Sequence, residues 1–447
     1  MKTQTRFATR SMLTLLCLIL MALSAQINAQ NASVQFVPFG DFIQSVSTAN
    51  SAAFVGRPGN QVSDAAAFEQ MRQHILTMYK GVEVSHSFLL GSQHFDCIRI
   101  NQQPSVRLLG LNGIETAPPQ SVLAKPVSDP NWVLESSQLG DDEQFDEFGN
   151  SLHCEDDTIP MSRITLEEMT QFGSLQAYFE KGPGGAGQLP SEDDPTAPAA
   201  PPAHKYAFFL QKVNNHGGNS GLNLWRPHVN TGLGEVFSLS QQWYASLAGP
   251  TQTAEVGWQN YPAKYHTQNS VLFIYWTADG YKHTGCYNLN CPAFVQINRN
   301  WHFGYGFNHY STQGGTQYEF TAEYYLYQGN WWLAFGGAWV GYYPGRLYRG
   351  GQLTRNAQVI EYGGETVGSE IWPPMGSGRW ANAGWRYAAN QRDVFYIDTS
   401  SKSKTWWATL TPMEPAPTCY KTTGPYFSTQ RGWGIYFFFG GPGGRGC

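Results

Sequence analysis

Val359-Ile360-Glu361-Tyr362-Gly363-Gly364-Glu365-Thr366-Val367 is a β-branched and aromatic run broken by two glycines and a carboxylate. Strands favour Val, Ile, Tyr and Thr and are depleted in Gly and Glu, so Gly363 and Gly364 predict a bulge or a close backbone approach. Glu365, just beyond them, points to a use other than packing. Thr253-Ala254-Glu255-Val256-Gly257-Trp258-Gln259 repeats the arrangement earlier in the chain, with a lone Glu beside a Gly in an apolar and aromatic run. Two such glutamates read as an acid/base pair.

The sequence around them, from Lys205 to Cys447, reads as strand throughout. Tyr206–Leu210, Ser270–Trp276, Gln317–Tyr327, Trp331–Val340 and Ile435–Phe439 are β-rich, separated by turns such as Asp279-Gly280 and Gly329-Asn330. Many short strands at this spacing, with no amphipathic helix among them, predict an all-β domain: an antiparallel two-sheet β-sandwich of jelly-roll type. Of the 15 tryptophans, 14 lie here and supply much of the expected core.

The 447 residues carry 48 Gly, 15% aromatics and only 14% charged residues, a balance suited to a sheet-rich exported protein. Residues 1–29 read as a signal peptide: Lys2, Arg6 and Arg10 precede the apolar run Met12–Leu23, too short to span a bilayer, and Ile27-Asn28-Ala29 is a cleavage site. A secreted or periplasmic product follows. Six cysteines remain after the signal, so an oxidising compartment favours disulfides. Fifteen pairings are open; order and proximity favour Cys286 with Cys291, Cys419 with Cys447, and Cys97 with Cys154.

Residues 30–181 read as a separate small α+β module. Asp64–Tyr79 and Ile164–Phe179 each show helical spacing of apolar residues, and Phe95–Ile100 is strand-like. Between Asn31 and His204 there are 22 Asp and Glu against 8 Lys and Arg, a net −14; from Lys205 onward 11 against 17 give +6. Opposite charges of this size favour docking of the two parts. Residues 182–204 join them as a Pro/Gly-rich linker, a composition that stays extended and open to proteases.

Five motifs in order resemble the neprosin family: Ala254–Gln259, Tyr275–Tyr281, Thr284–Cys291, Gly363-Gly364-Glu365 and Gly440–Gly444. Upstream, His94–Val106, with Asp96-Cys97 and Gln103-Pro104, resembles that family's activation peptide. The resemblance implies a secreted glutamic peptidase made as a zymogen, cleaving after proline at acidic pH, with Glu255 and Glu365 as its catalytic pair. It implies the Cys286–Cys291 and Cys419–Cys447 disulfides as well. Its partners would be proline-containing peptides and its own pro-segment as intramolecular inhibitor; neither nucleic acid nor membrane is expected as a partner.

Peptide hydrolysis by two carboxylates has a physical rationale. One draws a proton from water while the other polarises the carbonyl or protonates the leaving nitrogen. Like charges in one cleft push the two titrations apart, so the pair holds one proton over an acidic window. Trp258, Gln259 and Tyr362 are expected to line the cleft. Glu361 shares a strand face with Glu365 and is its nearest rival, and Glu319 and Glu323 are expected to face solvent or pair with Arg or Lys. No His-Glu-x-x-His occurs and the histidines are scattered, so neither metal nor cofactor is expected. Paired glutamates in an aromatic sandwich also suit a glycoside hydrolase, and a noncatalytic carbohydrate-binding sandwich is a further alternative; neither accounts for the acidic module and its linker.

Overall fold

The computed structural model describes residues 35–127, 132–135, 137–140, 142–182, 204–400 and 404–447. The expected signal segment, and the linker apart from Gly182 and His204, lie outside these residues. In the N-terminal part, helix α1 spans Phe39–Thr48 and α2 spans Ala65–Tyr79. The Asp64 carboxylate accepts the Ala66 and Ala67 N–H groups at 2.8 Å, capping α2 as its sequence predicts. Phe68, Met71, Ile75 and Tyr79 form its buried face.

The periodicity of 164–179 does not give one helix. It gives two short ones, α3 (Leu166–Met169) and α4 (Leu175–Phe179). Thr165 Oγ1 caps the first, Ser174 Oγ caps the second, and a second N-cap inside the run forces a break that apolar spacing cannot show.

Strands β1 (Val84–Leu90), β2 (Gln93–Arg99) and β3 (Thr158–Ser162) form a small antiparallel sheet, and the Cys97–Cys154 disulfide ties β2 to the loop before β3. Behind β2, the buried Arg163 guanidinium meets the buried Asp96 carboxylate at 2.5 and 3.0 Å, and Ser87 Oγ donates to Asp96 at 2.6 Å. Removing one partner of a buried pair costs about 3–5 kcal/mol. We expect Asp96→Ala to lower the thermal midpoint of this sheet accordingly, measured by circular dichroism of the full chain; an unchanged midpoint would contradict it.

The larger part is an antiparallel β-sandwich built on one long strand, β4 (His204–Asn223). Strands β5 (Glu235–Ala245), β6 (Thr253–Asn260), β7 (Val271–Thr277), β8 (Tyr318–Tyr327), β9 (Asn330–Phe335), β10 (Ala338–Tyr343), β11 (Ala357–Gly368) and β12 (Ala389–Asp398) follow. The first half of β4 pairs with β11, giving the order β4-β11-β5-β6-β7. Its second half pairs with β8 and β12, and β8 continues to β9 and β10. The strand changes layer near Gly217, where φ is +126° and a Cβ would lie 1.9 Å from the Tyr324 carbonyl oxygen, so only glycine fits.

The predicted single strand Trp331–Val340 is instead the β9–β10 hairpin. Gly336 and Gly337, with φ of +56° and +79°, make its turn. The two layers meet through Tyr244, Tyr324 and Trp331, whose rings lie 5.2 to 6.3 Å apart. The Cys286–Cys291 and Cys419–Cys447 disulfides close locally, as cysteine order favours.

Candidate active site

Antiparallel partners share a face, so the register alone defines which residues lie together on one face of the β4-β11-β5-β6-β7 sheet. One row runs Leu210, Glu361, Trp243, Glu255, Tyr275; the next Phe208, Gly363, Gln241, Gly257, Phe273; the third Tyr206, Glu365, Leu239, Gln259, Val271. The glycine pair is therefore no bulge, because the pairing runs through it without a shift. Close approach is its reason: a Cβ on Gly364 would lie 2.5 Å from Met375 Sδ.

Glu255 and Glu365 reach toward each other from two rows apart, and a lysine lies between them. Lys181 Nζ sits 2.5 Å from Glu255 Oε2 and 3.0 Å from Glu365 Oε2, with all three side chains buried. The outer oxygens are fixed by other donors. Thr253 Oγ1 and Tyr281 Oη each donate to Glu255 Oε1 at 2.7 Å, and His204 Nδ1 lies 2.6 Å from Glu365 Oε1. Tyr281 has a positive φ of +62°, and the Asp279 carboxylate holds its turn by accepting the Lys282, His283 and Thr284 N–H groups. An aromatic residue held in the left-handed region, with its hydroxyl on a carboxylate, is strain concentrated at a site.

Charge explains why the arrangement holds. Burial alone would raise the Glu365 carboxyl, but the Lys181 ammonium, with His204, outweighs it and brings the group below the ordinary carboxylate value. Burial likewise pulls the Lys181 ammonium down, and Glu255 and Glu365 more than reverse this. The ammonium thus bridges two buried carboxylates.

Lys181 ends a segment laid across this face. Tyr275 Oη donates to the Phe179 carbonyl at 3.1 Å, Lys264 Nζ to the Tyr178 carbonyl at 3.2 Å, and Asn290 Nδ2 to Tyr178 Oη at 2.8 Å. Phe172 packs on the apolar cluster formed by Tyr206, Phe208, Trp243, Tyr261 and Tyr275. The Lys181 ammonium also lies 5.1 Å from the centre of the Trp243 ring.

Of the residues expected to line the cleft, Gln259 is on this face, with Nε2 donating to Tyr287 Oη at 3.1 Å. Trp258 and Tyr362 are not, contrary to expectation. One residue out of phase, both point into the layer interface, Trp258 bonding the Asn223 carbonyl and Tyr362 the Phe395 carbonyl. Glu319 pairs with Arg392, as expected. Glu323 does not: it is buried, accepts the Ala124 N–H, and burial pushes it up to about 8.

Glu361 faces the cleft, and burial, with the charge of Glu255, pushes it up to about 8. A carboxyl raised on folding binds its proton more tightly in the folded state, so this contribution to stability is present in acid and lost as pH rises to about 8. We expect Glu361→Gln to raise the thermal midpoint more at pH ~8 than at pH ~4, the two ends of that window. An equal shift at both would contradict this.

Among the described residues, the one grouping with metal-ligand geometry is His86, Cys97 and Glu155, and its sulfur is bonded to Cys154. Sequence reading missed Lys181, His204, Tyr281 and Gln241. Gln241 had a signal: it interrupts the apolar alternation Phe237, Leu239, Trp243, Ala245 along one strand face. Residues 234–442 match the family model described as Neprosin.

Proposed function

We propose that this chain, a Neprosin-domain protein whose family membership supports a peptidase-type function, is a secreted glutamic endopeptidase made as a zymogen. One observation carries the reading: the Lys181 ammonium fills the space between two buried, otherwise well-anchored glutamates. With Lys181 withdrawn, a water takes its place between the two Oε2 atoms. The ionised member of the pair accepts a water proton as the water oxygen attacks the carbonyl carbon. Its partner, in the acid form, gives its proton to the leaving nitrogen as the C–N bond breaks.

Proline preference is supported by Trp243, whose ring beneath Lys181 offers an apolar platform to a pyrrolidine. Export is supported by three disulfides, and no helix among the described residues is long and apolar enough to cross a membrane. The zymogen reading draws further support from connectivity. Cys97–Cys154 lies before the linker and the other two disulfides after it, so one cut between 183 and 203 leaves the parts joined only by noncovalent contacts.

Acid then releases the N-terminal part. The lowered Glu365 stabilises the docked state above the ordinary carboxylate value and ceases to do so as pH falls through its depressed one. His302, packed on Phe88 and Phe95 of the small sheet, is driven down to about 3 by burial, with the His153 charge adding to it. Its contribution is complete above ~6.5 and is lost as pH falls from there. Cutting the linker and following the two fragments by size-exclusion chromatography tests this. Co-elution at neutral pH and separation in acid are expected; separation independent of pH would overturn the acid-release mechanism.

A further inference from the structure

The reaction above leaves Gln241 unused, although it lies between the two glutamates. Its row neighbours are Gly363 of β11 and Gly257 of β6. A Cβ on Gly257 would lie 2.7 Å from Gln241 Cα, and one on Gly363, at φ +154°, would lie 2.5 Å from the Ala207 carbonyl oxygen. No side chain therefore flanks Gln241 along its row, while the rows on either side carry Glu255 and Glu365.

The carboxamide is fully buried, Nε2 donates to Glu365 Oε2 at 3.3 Å, and Oε1 has no hydrogen-bond partner. Lys181 Nζ bonds that same Glu365 oxygen, so the amide nitrogen and the ammonium are neighbours around one atom. A reversed carboxamide would set its oxygen against the carboxylate, so charge fixes the donor orientation. Glu365 uses one N–H of Nε2. Among the described residues the other has no acceptor, and the Lys181 ammonium lies beside it on the same Glu365 oxygen.

We propose that Gln241 is a third catalytic residue, whose free Nε2 N–H bonds the carbonyl oxygen of the scissile peptide as charge builds there. The proposal rests on the glutamic-peptidase reading. As the water oxygen bonds the carbonyl carbon and a water proton passes to the ionised glutamate, the carbonyl π pair moves onto the oxygen that Gln241 holds. When that pair re-forms the C=O bond, the C–N bond breaks and the nitrogen takes the proton of the acid-form glutamate.

The test uses the full chain, cut in the linker and acidified, as wild type, Gln241→Met and Gln241→Asn. Two quantities are read: kcat and KM on a proline-containing peptide, and inhibition by a phosphinate peptide that mimics the tetrahedral intermediate. Met keeps the length and removes the donor; Asn keeps the donor and withdraws it, and carries the comparison if the Met variant fails to fold. We expect kcat to fall by about 10²- to 10³-fold with KM little changed and phosphinate affinity falling in parallel. Unchanged kcat in a folded variant, or a lower kcat with phosphinate affinity intact, would overturn the proposal. Wild type that cuts no peptide would instead overturn the reading beneath it.

Discussion

Glu255→Gln and Glu365→Gln are each expected to lower peptide hydrolysis by the linker-cut, acidified chain by roughly 10²- to 10⁴-fold, while the protein stays folded. Gln preserves the shape and the acceptor oxygen, so Thr253 and Tyr281 can still hold position 255. On the proposed mechanism what is lost is the proton exchange, because one member of the pair cannot perform both halves of it. The double variant should be little worse than either single one, because groups that act as a unit are not additive. Parallel kinetics and near-ultraviolet circular dichroism check this; a folded single variant within a few-fold of wild type would remove that glutamate from the reaction.

The second large effect concerns the intact chain. Lys181→Met leaves two buried carboxyls facing each other without their cation, and breaking a buried pair in this way costs about 3–5 kcal/mol. The loss should depend on pH. Above the ordinary carboxylate value the wild type keeps the full contribution of the lowered Glu365, so the two proteins differ most at neutral pH. As pH falls through that depressed value the contribution disappears from the wild type too, and the difference narrows. Thermal midpoints of both chains across pH should converge in acid. The cut variant should also release its N-terminal part at a higher pH than cut wild type does. A difference that is constant across pH would assign Lys181 a packing role alone.

Much of this was legible in the sequence because β structure writes its faces with a period of two. Glu255 and Glu365 stood out as carboxylates in apolar strands, and the register places both on one face. The same periodicity exposes the errors: Trp258 and Tyr362 are neighbours in sequence of residues on the cleft face and for that reason point away from it. Along a strand, a neighbour in sequence faces the opposite side. Glu323 departs from its expected place because its partner, the Ala124 N–H, comes from a loop far upstream.

Lys181 could not be found by pattern. It is a single cation at the end of an acidic segment, and its importance lies in a contact 74 residues away in sequence with Glu255. Helix spacing located the apolar residues of 164–179 correctly and missed the break, since capping by Ser174 is decided by one side-chain oxygen.

The measurement that bears most directly on the proposal of a two-glutamate peptidase held shut by its own lysine is the cleavage rate of a proline-containing peptide. It would be followed as pH is lowered, for the intact and the linker-cut chain side by side, with products located by mass spectrometry. The cut chain is expected to become active in acid and to cleave after proline, while the intact chain lags behind it. Equal rates for the two chains at every pH, or a cut chain that hydrolyses glycans and leaves peptides whole, would contradict it.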